Sequence, residues 1–139
     1  MEVKFYDSIN DELLKYAVII SKSNNKWVFC KHKERSTYEV PGGHREEKET
    51  IYETAVRELK EETGAIDFTI KEIGVYSVIK NNIETFGMLY YAEIYSFNDT
   101  LNSEMECILL LDNLPNNWTY PEIQPNLIEE YEKRKHNFD

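Results

Sequence analysis

The chain has 139 residues and a mass of 16.5 kDa, with 41% apolar and 13% aromatic residues; this suits one folded domain with a real core and excludes a disordered chain. Its formal net charge of −10 and pI near 4.8 exclude a surface that holds duplex nucleic acid through many lysine-to-phosphate contacts. A phosphate-bearing small molecule stays compatible with that charge, provided a cation such as a divalent metal stands between it and the protein.

The amino-terminal MEVKFYDSIN lacks the basic-then-apolar order of a secretory signal, and no apolar run approaches the roughly 18 residues of a membrane span, so a cytoplasmic protein without a membrane partner is expected. Stretches 14–22 (LKYAVIISK) and 26–31 (KWVFCK) are apolar and β-branched and flank Asn24 and Asn25, which predicts a β-hairpin. A shorter strand over 38–40 runs into Pro41, Gly42 and Gly43, where a sharp turn is expected. From 50 to 63 the period changes to that of a helix: Ile51, Ala55 and Leu59 recur every four residues, flanked by Tyr52 and Val56. Thr50 with Glu53 three residues later forms a candidate capping box, and Gly64 stands where a helix stops. Two long strands, 67–80 and 84–97, surround Asn81 and Asn82. The run 107–111 (CILLL) predicts a short buried strand, and 121–135 a terminal amphipathic helix carrying Leu127, Ile128 and Tyr131. With no repeat or linker, these elements predict a single domain over 1–139, a mixed sheet covered by helices. Cys30 and Cys107 have no metal-site spacing around them and are expected as reduced core residues.

Glu58, Glu61 and Glu62 fall within roughly a 100° arc of the predicted helix, because positions three and four apart share a face. Like charges so placed repel, and carboxylates in a last turn also oppose the helix dipole by about 0.3–1 kcal/mol each. Several local preferences failing together point to a site. Oxygen-only ligands on one face suit a hard cation such as Mg²⁺. The plain alternative is a solvated acidic face.

Gly43, five residues, Glu49, seven residues and then Arg57-Glu58-Leu59-Lys60-Glu61-Glu62-Thr63-Gly64 resembles the Nudix box of the MutT-like Nudix hydrolases, here spanning 43–65. The one departure is Ala65, where the family usually carries a larger aliphatic residue; it bears on packing behind the loop and not on ligands. The resemblance implies a fold of α/β class, a Nudix-type α/β/α sandwich with a mixed β-sheet between helices. It implies a pyrophosphohydrolase that uses Mg²⁺, or Mn²⁺, and a water to split a nucleoside diphosphate linked to a further group. A (d)NTP or oxidised (d)NTP, cleaved to NMP and pyrophosphate, is the expected substrate. Glu58, Glu61 and Glu62 would be metal ligands together with the Gly43 carbonyl, and Arg57, on another flank of the helix, would pair with Glu49 to hold the loop. Apart from the resemblance, Gly43 reads as a turn residue and Arg57 as a solvated arginine.

The general base is expected either on the helix, as Glu61, or in the acidic loop 98–106, as Glu104 first and Glu106 second. Lys31, Lys33 and Arg35 are candidate phosphate contacts, with His32 exposed among them. Tyr38, Phe86, Tyr120 and Gln124 are candidates for holding the base. The alternatives are removal of pyrophosphate from RNA 5′ ends, which the acidic surface disfavours for long RNA, and a nucleotide sensor without hydrolysis, which the intact carboxylate set speaks against. The expected partner is therefore a small-molecule nucleotide. The segment 129–136 alternates charge as an exposed helix does and carries no partner signal.

Overall fold

Two asparagine pairs fix the strand turns. Asn24 and Asn25 have φ of 51° and 65°, and Asn81 and Asn82 have 53° and 64°, the left-handed values that both central residues of a two-residue hairpin turn adopt. The computed structural model describes residues 1–99 and 105–138. Its strands are β1 (Glu2–Tyr6), β2 (Leu14–Ser23), β3 (Lys26–His32), β4 (Tyr38–Glu39), β5 (Gly42–His44), β6 (Ala65–Lys80), β7 (Ile83–Phe97) and β8 (Met105–Leu111). The helices are α1 (Ile51–Thr63) and α2 (Gln124–Arg134), with short 3-10 turns at Asp11–Leu13 and Lys135–Asn137.

The strands β6 and β7 pair along their whole length, from Lys80 opposite Ile83 back to Ala65 opposite Phe97. The expected hairpin of β2 and β3 is paired only at its tip, Lys22 with Trp27 and Ser23 with Lys26. Beyond it β2 runs parallel to β7, from Leu14 opposite Phe86 to Lys22 opposite Glu93, while β3 pairs antiparallel with β4 and β8. The sheet order is thus β1-β6-β7-β2-β3-β4, with β5 on β2 and β8 on β3, and the parallel pairing of β2 with β7 makes it mixed. Strand β1, antiparallel to β6 from Glu2 opposite Ile79 to Tyr6 opposite Val75, has no counterpart among the sequence expectations. None of its residues is fully buried; Val3 and Phe5 alternate toward the core beneath α2, an apolar face of two residues that is too short to stand out in the sequence.

The turn expected at 41–43 is confined to a bend at Pro41, and Gly42 and Gly43 open strand β5 instead. Gly42 and Gly43 pair with Val18 and Ala17 of β2, and neither has a positive φ. Glycine is required there for close approach: a Cβ on Gly42 would lie 2.6 Å from the Ala17 carbonyl oxygen.

Helix α1 begins as expected. Thr50 Oγ1 accepts from Glu53 N at 3.1 Å, and the Glu53 carboxylate accepts from Thr50 N at 2.9 Å. It ends at Gly64, φ 74°, whose N–H donates to the Lys60 carbonyl. Its buried stripe, Ile51, Ala55 and Leu59, packs with Leu14, Ala17, Ile19, Val28 and Ile94 on one face of the sheet. Burying a side chain such as Leu59 is worth about 1.5–3 kcal/mol. On the opposite face Leu127, Ile128 and Tyr131 of α2 pack with Ile20, Trp27, Phe29, Leu89 and Tyr91. Successive residues Ile19 and Ile20 of β2 thus serve opposite cores, the period-two alternation of a strand covered on both faces. Tyr131 stacks on Tyr91 with ring centres 4.8 Å apart. The result is the expected α/β/α sandwich, and no helix among the described residues is long and apolar enough to cross a membrane. Cys30 is buried as expected, its Sγ 3.6 Å from the Glu62 carbonyl oxygen; the Cys107 side chain lies outside the described residues.

Candidate active site

Strand β5 and the carboxyl-terminal half of α1 meet along one seam, and Arg57 is its hub. Its Nε donates to Glu49 Oε2 at 2.6 Å and its Nη2 to Glu49 Oε1 at 3.1 Å and to the His44 carbonyl at 3.1 Å. Glu49 also accepts from Thr54 Oγ1 at 2.9 Å and from Glu46 N at 3.0 Å. The forked guanidinium against one carboxylate is the strong form of this contact. It holds the Glu49 carboxyl well below the usual range, at about 2. This is the expected pairing of loop with helix.

The expectation that Arg57 keeps to another flank is corrected. Its Nη1 donates to Glu58 Oε1 at 2.7 Å and reaches Glu61 Oε2 at 3.5 Å, because Glu61 stands four residues on along the same face and the long side chain also spans to Glu58. Glu62 is turned the other way: its Oε1 accepts from the Gly42 N–H at 2.8 Å. Burial is the main force raising the Glu62 carboxyl to about 8, reinforced by the charges of Glu58, Glu39 and Glu61 and partly opposed by that backbone donor. Burial likewise raises Glu58 against the pull of Arg57. Gly43 faces Glu58 so closely that a Cβ would fall 2.5 Å from Oε1 and 2.7 Å from Oε2. Glu58 and Glu62 therefore both point into the seam with β5, while Glu61 is half exposed. Among the described residues no three Asp, Glu, His or Cys side chains are drawn together as the ligands of an ion, since Arg57 and the Gly42 N–H hold these carboxylates apart.

On the other side of β5 lies a cavity of about 330 Å³, lined by Gly42 and Gly43 themselves and walled by Tyr16, Tyr76, Tyr120, Glu39 and Gln124. Gln124 is 5% exposed and its Oε1 accepts from Val40 N at 2.9 Å. Glu39 is 7% exposed and takes Arg35 Nη1 at 3.2 Å, while Arg35 also lies 5.9 Å from the centre of the Tyr120 ring. Burial raises the Tyr76 phenol.

Of the residues expected to contact substrate, Gln124 and Tyr120 are in this wall and Arg35 stands beside it. Lys31 and Lys33 are not among its lining residues; Lys31 Nζ lies 3.4 Å from the His32 carbonyl and Lys33 is exposed. Phe86 packs in the core beneath α1 with Tyr6, and Tyr38 in the core beneath α2, so neither lines the cavity. Glu104 lies outside the described residues, and Glu106 falls within β8 and not in the loop expected there. Tyr16, Tyr76 and Glu39 were not among the sequence candidates. The available signal was Glu39 itself, an acid three residues before Gly42 in the short strand that leads into the glycine pair.

The chain is similar to known proteins in sequence and in fold. A model of the NUDIX domain matches residues 13–132. The candidate 8-oxo-dGTP diphosphatase YtkD of Bacillus subtilis (strain 168) is 34% identical over 94 residues, 68% of this chain and 59% of that protein. The match thus spans less than two thirds of that relative's length. The crystal structure of the Bacillus subtilis pyrophosphohydrolase BsRppH superposes with a TM-score of 0.82 at 27% identity, covering 99% of this chain and 90% of that one. A UDP-X diphosphatase superposes at 0.74 with 16% identity, covering 91% and 64%, a likeness of fold alone. With the family model spanning nearly all of the chain and the box folded as strand, clamped loop and capped helix, the chain belongs to the Nudix family.

Proposed function

We propose that the chain, as a single Nudix domain over 1–139, is a Mg²⁺-dependent pyrophosphohydrolase that cleaves a nucleoside triphosphate, ordinary or oxidised, to the monophosphate and pyrophosphate. One observation carries this reading: Gly42 and Gly43 line the cavity and also meet Glu62 and Glu58. A nucleoside held in the cavity would send its phosphates across a side-chain-free strand onto those carboxylates. The names of the two relatives, an 8-oxo-dGTP diphosphatase and a pyrophosphohydrolase, favour the triphosphate class.

The donor set fits a hard divalent cation. It is all oxygen, two of its carboxylates are turned inward where burial raises their proton affinity, and the space beside Glu58 is one that any Cβ on residue 43 would fill. Glu58, Glu61, Glu62 and the Gly43 carbonyl would hold Mg²⁺, with Mn²⁺ as its substitute. Such an ion, when bound, neutralises phosphate oxygens and orients the attacking water. Arg57 fixes Glu58 and anchors the loop through Glu49. Glu61, 51% exposed and only loosely held at 3.5 Å by Arg57, would take the proton of the attacking water, with Glu104 as the other candidate base. Arg35, beside Tyr120, is the basic residue best placed to meet the phosphates, ahead of Lys31 and Lys33.

The test is a panel of nucleoside triphosphates, with 8-oxo-dGTP and a 5′-triphosphorylated oligonucleotide, assayed with and without Mg²⁺. Monophosphate and pyrophosphate formed only with the metal is the expected result; no product from any substrate overturns the reading. Faster turnover of the oligonucleotide than of every free nucleotide would move it to RNA 5′ ends. Gly43→Ala supplies a structural check: its methyl must displace the Glu58 carboxylate, so turnover should collapse while stability falls by only about 1–3 kcal/mol, measured by thermal unfolding.

A further inference from the structure

Arg45 opens the loop between β5 and α1, and its side chain commits four of the five guanidinium N–H donors to partners outside its own strand. Nε donates to the Glu49 carbonyl at 2.8 Å, Nη1 to the carbonyls of Asp11 at 3.0 Å and Leu14 at 3.2 Å, and Nη2 to Asp11 Oδ2 at 3.0 Å. Its backbone N–H donates to the Lys15 carbonyl at 2.7 Å. The loop is thereby tied to the 3-10 turn Asp11–Leu13 and to the first residues of β2, which β7 holds in the sheet. It needs such an anchor, since Lys48 within it has φ of 66°, left-handed backbone that a lysine keeps only under constraint.

We propose that Arg45 is a positioning residue for the metal-dependent reaction, acting through Glu49 and Arg57 on Glu58; the proposal rests on the hydrolase reading above. Glu49 is gripped at both ends, its carbonyl by Arg45 and its carboxylate by Arg57, so one residue ties the sheet to helix α1. Arg57 passes that constraint on through the 2.7 Å bond from its Nη1 to Glu58 Oε1. Glu58 has no slack to absorb an error, because its Oε1 stands only 2.5 Å from where a Cβ on Gly43 would lie. Without Arg45 the clasped pair of Glu49 and Arg57 can shift as a unit and carry Glu58 away from Gly43 while keeping its own bonds. The forked shape of the guanidinium matters more here than its charge. The Asp11 side chain is 70% exposed, where an ion pair contributes little. The carbonyls of Glu49, Asp11 and Leu14, by contrast, are bridged by a planar group whose donors point in fixed directions.

The experiment compares Arg45→Met with the wild type at a temperature where both are folded. It reads kcat and KM with Mg²⁺, and Mn²⁺ binding to the nucleotide-free protein by electron paramagnetic resonance. The value of kcat should fall, and the Mn²⁺ dissociation constant rise, by roughly tenfold each with KM nearly constant, as for partners that orient metal ligands. Arg45→Lys restores the charge without the fork and should stay nearer to the methionine variant; Asp11→Asn, which keeps the Asp11 carbonyl, should stay nearer to the wild type. The reverse order overturns the proposal by placing the effect in the exposed ion pair. A purely structural Arg45 would lower the melting temperature and leave kcat and Mn²⁺ binding as in the wild type, which overturns it too. If Arg45→Met does not fold, Arg45→Lys carries the same comparison. Urea unfolding of the metal-free protein adds an independent check: the losses from Arg45→Met and Arg57→Met, combined in one chain, should fall short of their sum, since both arginines grip Glu49. Full additivity contradicts the chain of contacts. A wild type that binds Mn²⁺ but turns over no triphosphate sinks the hydrolase reading alone; Mn²⁺ binding and the unfolding cycle then decide the part played by Arg45.

Discussion

Glu62→Gln should lower Mg²⁺-dependent turnover by at least about a hundredfold while leaving the melting temperature unchanged or raised. The activity loss follows from the proposed ligand role: partners one shell out from a metal typically cost 10–100-fold in affinity or activity, and a ligand itself should cost no less. The stability expectation follows from electrostatics. Glu62 is inserted between β5 and α1, where burial opposes its charge and Glu58, Glu39 and Glu61 all repel it. Glutamine has nearly the same shape and keeps the oxygen that accepts from Gly42 N at 2.8 Å, so the seam stays closed without either a buried charge or the proton uptake that a carboxyl raised to about 8 needs at neutral pH. Glu61→Gln provides the contrast. With its side chain 51% exposed it should lose activity to a similar degree and gain no stability. The paired measurement is thermal unfolding without metal beside steady-state turnover with it. Full turnover in Glu62→Gln would remove that carboxylate from the site; a large drop in stability would show that its charge supports the fold instead of burdening it.

The parts of this molecule written in short-range chemistry were legible before any coordinates. Thr50 with Glu53 and Gly64 mark both ends of α1, and the two asparagine pairs mark both hairpin turns, because each of these signals acts within a few residues. The acidic arc of α1 was legible for the same reason. What stayed hidden depends on partners far along the chain. Gly42 and Gly43 look the same in sequence whether they turn the backbone or let it approach another strand, and only Ala17 and Glu58 decide between the two. Strand β2 pairs with β7 along nearly its whole length on one edge and with β5 and then β3 on the other, a division that its uniform apolar run cannot express. Tyr16 and Tyr76 could not be picked out from ten tyrosines, since a cavity is a property of the assembled wall. Arg57 was assigned to another flank although Glu61 follows it by four residues, and its guanidinium in fact spans from Glu49 to Glu58.

That span makes Arg57→Met the substitution with the largest expected cost in stability, about 2–4 kcal/mol at neutral pH, or roughly 10 °C in melting temperature. Methionine keeps the apolar stem against the helix, so the loss isolates the guanidinium. Without it Glu49 and Glu58, with side chains 17% and 12% exposed, are left as poorly solvated charges, and the His44 carbonyl loses its donor. Exposed ion pairs rarely matter this much; this one does because three acceptors share one rigid fork out of full solvent. The pH dependence has a definite sign. Arg57 is the main force holding the folded Glu49 carboxyl at about 2, below its usual 4.5, so the stability it supplies is fully present above pH about 4.5 and is lost as pH falls toward 2. The gap in unfolding free energy between wild type and Arg57→Met should therefore be widest near neutrality and narrow steadily through that acid window, as followed by urea denaturation at a series of pH values. A gap that stays constant down to pH 2 would mean that Arg57 stabilises the loop by packing and its carbonyl contact, with no part for the charge of Glu49. Turnover should fall as well, because the same fork that holds the loop also aims Glu58 at Gly43.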